Sequence, residues 1–180
     1  MPVTDAGASP QPQSAPHQHD GEEATVARLH TYDVRVTWTG DRGTGMSGYR
    51  EFARDHQVAA DGPVAILGSS DPALAGDRTR WNPEQLLTAA LSQCHMLWYL
   101  HLCAESGVLV TAYVDDAHGE MEERHRGGRF TRVVLRPRVT ISSAKMLAMA
   151  TELHEQAHDS CFIASSVNFP VSCEPKVDVE

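Results

Sequence analysis

One spacing in this chain of 180 residues has the look of metal chemistry: His154-Glu155-x-x-His158, followed by Cys161. On a helix, histidines at i and i+4 share a face and can hold zinc, while the glutamate between them activates water, as in metalloproteases. Cys161, at i+7 from His154, falls on the same face and offers a third ligand. The surroundings suit that reaction poorly. The residues after His158 include no further histidine, and the motif closes a short helix where an open cleft would be needed. The plainer reading puts His154 and His158 on a solvated or partly buried face near the helix C-terminus, where the dipole favours a cation. Adventitious metal binding is the intermediate case.

Four cysteines supply the other reactive groups: Cys94, Cys103, Cys161 and Cys173. The N-terminus has no cationic start followed by an apolar stretch, so the expected compartment is the cytosol. No apolar run reaches bilayer-spanning length. In a reducing compartment such cysteines are buried, metal-bound or redox-active rather than a disulfide scaffold. None forms a C-x-x-C pair. The formal net charge of −9 leaves no basic footprint for nucleic acid.

Residues 1–23, rich in Pro, Gln, Ser and Ala, read as a disordered tail whose His17 and His19 are solvated. Residues 24–180 read as one domain. Tyr32, Val34, Val36 and Trp38 alternate with polar residues as in a half-buried strand. A glycine-rich turn, Gly40-Asp41-Arg42-Gly43-Thr44-Gly45, follows it. A second strand is expected through Ser47–Val58 and a short third through Gly62–Gly68.

The strongest helix starts at Asn82-Pro83-Glu84, where an N-cap, a first-turn proline and a dipole-matched carboxylate coincide. It is apolar on most sides and stops at Gly107. A hairpin follows, then a second helix over Ser142–Ser160 with a serine for its cap, then a closing strand. This order predicts an α+β fold with antiparallel sheets around a long buried central helix. So few elements cannot cover that helix, which points to a second subunit.

The run Asn82-Pro83-Glu84-Gln85-Leu86, an alanine-rich helix, and Cys94 ten residues after Glu84 resemble the OsmC/Ohr family of thiol-dependent hydroperoxide reductases. The turn carrying Arg42 resembles that family's functional arginine turn. Cys161 falls where the family has its partner thiol. The resemblance covers residues 30–180 and implies an intertwined homodimer. It implies that Cys94 is the nucleophile, Cys161 the resolving thiol, Arg42 the activator and Glu84 its orienter. The substrate would be an organic hydroperoxide, and a dithiol such as a protein-bound lipoyl group would regenerate the enzyme. No metal or organic prosthetic group is required. The chain departs from the common family pattern at Phe162, where a proline often follows the second cysteine, and at His95, beside the first.

These residue types suit that chemistry. Peroxide reduction needs a thiolate, and burial disfavours one. A guanidinium stays charged when buried, and a carboxylate can aim it through a bidentate pair. Arg50 and Arg54 compete with Arg42 for the role, and Glu84 also serves as a first-turn carboxylate. Cys103, nine residues from Cys94, faces the opposite side of the helix and reads as core. Cys173 is structural by default and otherwise a reserve resolving thiol. Trp81, Trp98, Tyr99 and Phe162 either wall an apolar substrate pocket or pack as core. On one unbroken helix, Glu84 and Cys94 stand about 15 Å apart along the axis and about 80° apart around it. Sharing a site then requires a composite of two chains. The competing expectation is a non-enzymatic module that binds a small ligand or metal, with structural cysteines.

Overall fold

The computed structural model describes residues 27–125 and 127–180. The tail expected over residues 1–23 lies outside them. In chain order the elements are β1 (Arg35–Trp38), β2 (His56–Ala59), β3 (Ile66–Gly68), α1 (Pro83–Glu105), β4 (Val110–Asp115), β5 (His118–Arg124), β6 (Gly127–Leu135), β7 (Pro137–Ile141), α2 (Leu147–Asp159), β8 (Val171–Cys173) and β9 (Lys176–Val179). The class is α+β, as expected.

Strands β1, β2 and β3 form an antiparallel meander. The strand expected through Ser47–Val58 is only β2, because the chain before it is held in turns. Asp41 Oδ1 accepts from the amides of Gly43 and Gly45 at 2.8 and 2.9 Å. Both glycines have positive φ, 98° and 56°, which a side chain would strain. Val36, expected half-buried, is 63% exposed, and Trp38 is 45% exposed. All four residues of β1 are exposed, and among the described residues nothing covers either face fully.

The remaining strands build three long ribbons, each broken at one level. β4 gives way to β5 at Asp116-Ala117, β6 to β7 at Arg136, and β8 to β9 at Glu174-Pro175. β6 pairs with β5 and β8, while β7 pairs with β4 and β9. The break is stitched across the ribbons: Arg136 N donates to Asp115 Oδ1 at 2.7 Å, and Glu174 N donates to the Leu135 carbonyl at 2.9 Å. The hairpin and the single closing strand of the sequence reading are thus these ribbons, each folded once. The expectation of antiparallel sheets needs one correction. β8 and β9 run parallel to β6 and β7, because the connection from β7 passes through α2 and returns the chain in the same direction.

α1 is fixed at both ends. Gln85 N donates to Asn82 Oδ1 at 2.8 Å and Asn82 N donates to Gln85 Oε1 at 3.2 Å, a reciprocal capping box. At the other end Gly107 adopts a φ of 71°, and Val108 N bonds back to the Cys103 carbonyl at 2.8 Å. That is the six-to-one bond of a glycine-terminated helix. α2 starts later than expected, at Leu147, after a 3-10 turn over Ala144–Met146, and no serine side chain caps it.

The buried stripe of α1 is Leu91, His95, Tyr99 and Cys103, one residue per turn. Tyr99 and Cys103 pack with Val139 and Ile141 of β7 and with Ala150, Leu153 and Ala157 of α2. Leu91 packs instead with Val133 and Leu135 of β6. The opposite face is not fully covered by the described residues, with Leu97 62% exposed.

Candidate active site

Cys94 sits on α1 between Leu91 and Tyr99, off the buried stripe and half-buried. Cys161 follows the end of α2. Its amide donates to the His158 carbonyl at 3.2 Å, and its sulfur accepts from Ala164 N at 3.5 Å. This tight exit from the helix turns the thiol back toward α1, where the Cys94 thiol is its neighbour. Both thiols are free. Burial, together with the neighbouring Cys94 thiol, pushes Cys161 up to about 11. Trp98, one turn beyond Cys94, places its ring edge-on against Phe162 at 5.4 Å. Phe162 directly follows Cys161 in the chain, while Tyr99 belongs to the core.

Arg42 and Glu84 are not brought together within the chain. Arg42 lies in the exposed turn after β1, and its Nη1 donates to the Arg50 carbonyl at 3.4 Å. Arg54 is occupied elsewhere: it donates to the Phe52 and Tyr49 carbonyls and lies over both rings. Glu84 is partly buried at the first turn of α1, and its Oε2 has no hydrogen-bond partner. It lines a cleft of about 670 Å³ with Trp81, Ser92, Asp115 and Phe130. Cys94 is not among the residues lining that cleft, as the helical spacing required.

A family model for OsmC-like protein matches residues 76–176, which carry Glu84, Cys94 and Cys161. The chain belongs to the OsmC-like family. It is 33% identical to an OsmC-like protein of unknown function from Vibrio cholerae, with 82% of this chain and 99% of that one covered at a TM-score of 0.74. An organic hydroperoxide resistance protein from Elizabethkingia anophelis shares the fold at 18% identity, with 85% and 99% covered and a TM-score of 0.60. An organic hydroperoxide resistance protein OsmC from Legionella pneumophila does so at 18% identity, with 84% and 99% covered and a TM-score of 0.61. No curated protein matches the chain.

In this OsmC-like chain the metalloprotease spelling is not assembled. Glu155 is exposed. His154, expected on a solvated or partly buried face, is 2% exposed. It is buried because α2 turns Ala150, Leu153, His154 and Ala157 toward α1 and the sheet. Its Nδ1 faces His95 Nε2 at 3.1 Å, and Cys173 Sγ lies 3.4 Å from the same His95 nitrogen. Burial pulls His95 down to about 4, with Asp115 acting against it, and pulls His154 down to about 3. Burial, reinforced by Asp115 and Glu174, pushes Cys173 up to about 12. No sequence motif assigns His95 a role. Its place in the four-residue stripe Leu91-His95-Tyr99-Cys103 was the available signal that it points inward.

Proposed function

We propose that this OsmC-like protein is a cysteine-based peroxidase that reduces organic hydroperoxides to alcohols. The observation that carries this reading is the proximity of the free Cys94 and Cys161 thiols, drawn from two different helices. The Cys94 thiolate attacks the terminal peroxide oxygen and the O–O bond breaks. The alkoxide leaves as the alcohol after protonation, and Cys94 holds the oxygen as a sulfenic acid. Cys161 then displaces water from that sulfur to form the disulfide. An external dithiol reduces the pair, which restores both thiols and completes the electron balance. Cys94 takes the nucleophilic role because it is the more accessible of the two. Cys161 is buried, held in its thiol form, and already in reach of the sulfenic sulfur.

The activating residues come from a second protomer in this reading. Arg42 and Glu84 of one chain meet Cys94 of another, forming a homodimer with two composite sites. The partnerless Glu84 oxygen supports this, because a buried carboxylate oxygen left alone is costly and a guanidinium fork satisfies it. The unbroken α1 supports it too, since it holds Glu84 and Cys94 a full helical segment apart. So do the uncovered faces of α1 and of the β1-β2-β3 sheet. The test is the intact mass of the reduced protein after one equivalent of an organic hydroperoxide. A rapid loss of about 2 Da per chain, absent in Cys94→Ser and Cys161→Ser, is the expected result. No change, or only slow gains of about 16 Da, would overturn the proposal.

A further inference from the structure

His95, His154 and Cys173 come from α1, α2 and β8, yet their ligand atoms all lie within 4.8 Å of one another. Two nitrogens on one tetrahedral zinc stand about 3.3 Å apart, and a nitrogen and a sulfur about 3.5 Å, given Zn–N and Zn–S bonds of about 2.0 and 2.3 Å. The observed separations are 3.1 Å for His95 to His154 and 3.4 Å for Cys173 to His95. Two of the three edges of a ligand triangle are thus already set to within a few tenths of an ångström. Completing the site takes a swing of the Cys173 side chain and a tilt of both rings, whose nitrogens now point at each other.

Charge supports the same reading. The Asp115 carboxylate lies near both His95 and Cys173, and Glu174 follows Cys173 in the chain. Their negative field favours a dication at the cluster. Asp115 is also fixed in place, accepting from Arg136 N at 2.7 Å and from Ser92 Oγ at 2.5 Å. Tyr113, whose buried hydroxyl has no hydrogen-bond partner, neighbours Cys173 as well.

We propose that His95, His154 and Cys173 form a binding site for a thiophilic divalent metal ion, with Zn²⁺ as the fitting ion. The rings of His95 and His154 are parallel to within 6° and face each other through nitrogen, so one proton bridges them in the metal-free chain. On binding, that proton moves to the outward nitrogen of its own ring and both inward lone pairs go to the ion. The Cys173 thiol gives its proton to solvent as the metal–sulfur bond forms. One proton is released per ion and nothing is oxidised. The ion ties both helices to the sheet one residue away from Cys94, and it takes no part in peroxide reduction.

The test uses the full-length chain, reduced and metal-stripped, carrying Cys94→Ala and Cys161→Ala. It therefore stands or falls independently of the peroxidase reading. Titration with Co²⁺ is expected to give one tetrahedral ion per chain with a thiolate-to-cobalt charge-transfer band, displaced by Zn²⁺. Cys173→Ala in the same background is expected to lose that band and to weaken binding by more than the about 100-fold that an outer partner costs. No saturable binding by the folded chain would overturn the proposal. So would a band that persists in Cys173→Ala, or a nitrogen-only spectrum from histidines such as His17 and His19. Should Cys173→Ala fail to fold, X-ray absorption of the zinc-loaded background chain decides. One sulfur and two nitrogens in the zinc shell support the site, and no sulfur overturns it.

Discussion

The thiols of Cys94 and Cys161 are neighbours although one rides in the middle of α1 and the other lies just past the end of α2. Helix packing alone brings them near each other, since both thiols are free. In the Cys161→Ser variant the first oxidation step has no resolving thiol. Peroxide is expected to leave a sulfenic acid on Cys94, seen as a gain of about 16 Da that a dimedone probe captures. Capture at another cysteine would move the nucleophile elsewhere.

Arg42 is expected to act through its charge and its fork. Arg42→Met should lower kcat/KM for an organic hydroperoxide by about 100- to 1000-fold, the range for losing one preorganised charged donor. Arg42→Lys should recover only part of this, because an ammonium cannot pair bidentately with Glu84. Stopped-flow oxidation of the thiols measures both, and equal rates in all three proteins would remove Arg42 from the site.

Composite sites make a distinct prediction for mixed dimers. Cys94→Ser and Arg42→Met are each inactive as homodimers in the proposed scheme. A dimer holding one of each keeps one intact site, with Cys94 from one chain and Arg42 from the other. After random exchange of equal amounts, about a quarter of the wild-type activity should return. A mixture that stays inactive, with exchange shown by native mass spectrometry, would place both residues in one chain.

Cys161 also sets a pH dependence. Its folded value of about 11 lies above the about 8.5 of an unfolded thiol. The unfolded chain therefore ionises first, and this contribution to stability is intact below about pH 8.5 and lost as pH rises toward 11. The slope is at most about 1.4 kcal/mol per pH unit. Thermal melting of reduced Cys161→Ala should fall less steeply over that window than the unsubstituted chain. Identical slopes would refute the effect.

The capping box at Asn82 joins stability to the site. Asn82→Ala removes the bond to Gln85 N and should cost about 1 kcal/mol in chemical denaturation. Because Glu84 lies within the capped turn, peroxide reduction should fall as well. Asn82→Asp keeps an acceptor and should preserve both.

Much of this was legible in local sequence. Asn82-Pro83 and Gly107 mark both ends of α1 because capping and positive φ are decided by neighbouring residues. Cys94 and Cys161 are picked out by motif resemblance, and Cys103 by its opposite helix face. Other features were not legible, because they depend on register between distant elements. The burial of His154 follows from how α2 docks on α1. The approach of Cys173 to His95 follows from the parallel pairing of β8 with β6. The alternation in β1 shows which residues face the same way, but it does not say which chain covers them.

The aligned breaks at Asp116-Ala117, Arg136 and Glu174-Pro175 act as a crease between the two sheets, and α1 is the beam that spans it. Leu91 anchors the beam to one panel through Val133 and Leu135, while Tyr99 and Cys103 anchor it to the other through Val139 and Ile141. Cys94 lies between these anchors. Any flexing of one panel against the other would be felt as bending strain in the stretch of helix that carries the reactive sulfur. Packing substitutions on either panel should therefore alter thiol reactivity from a distance, without touching either cysteine.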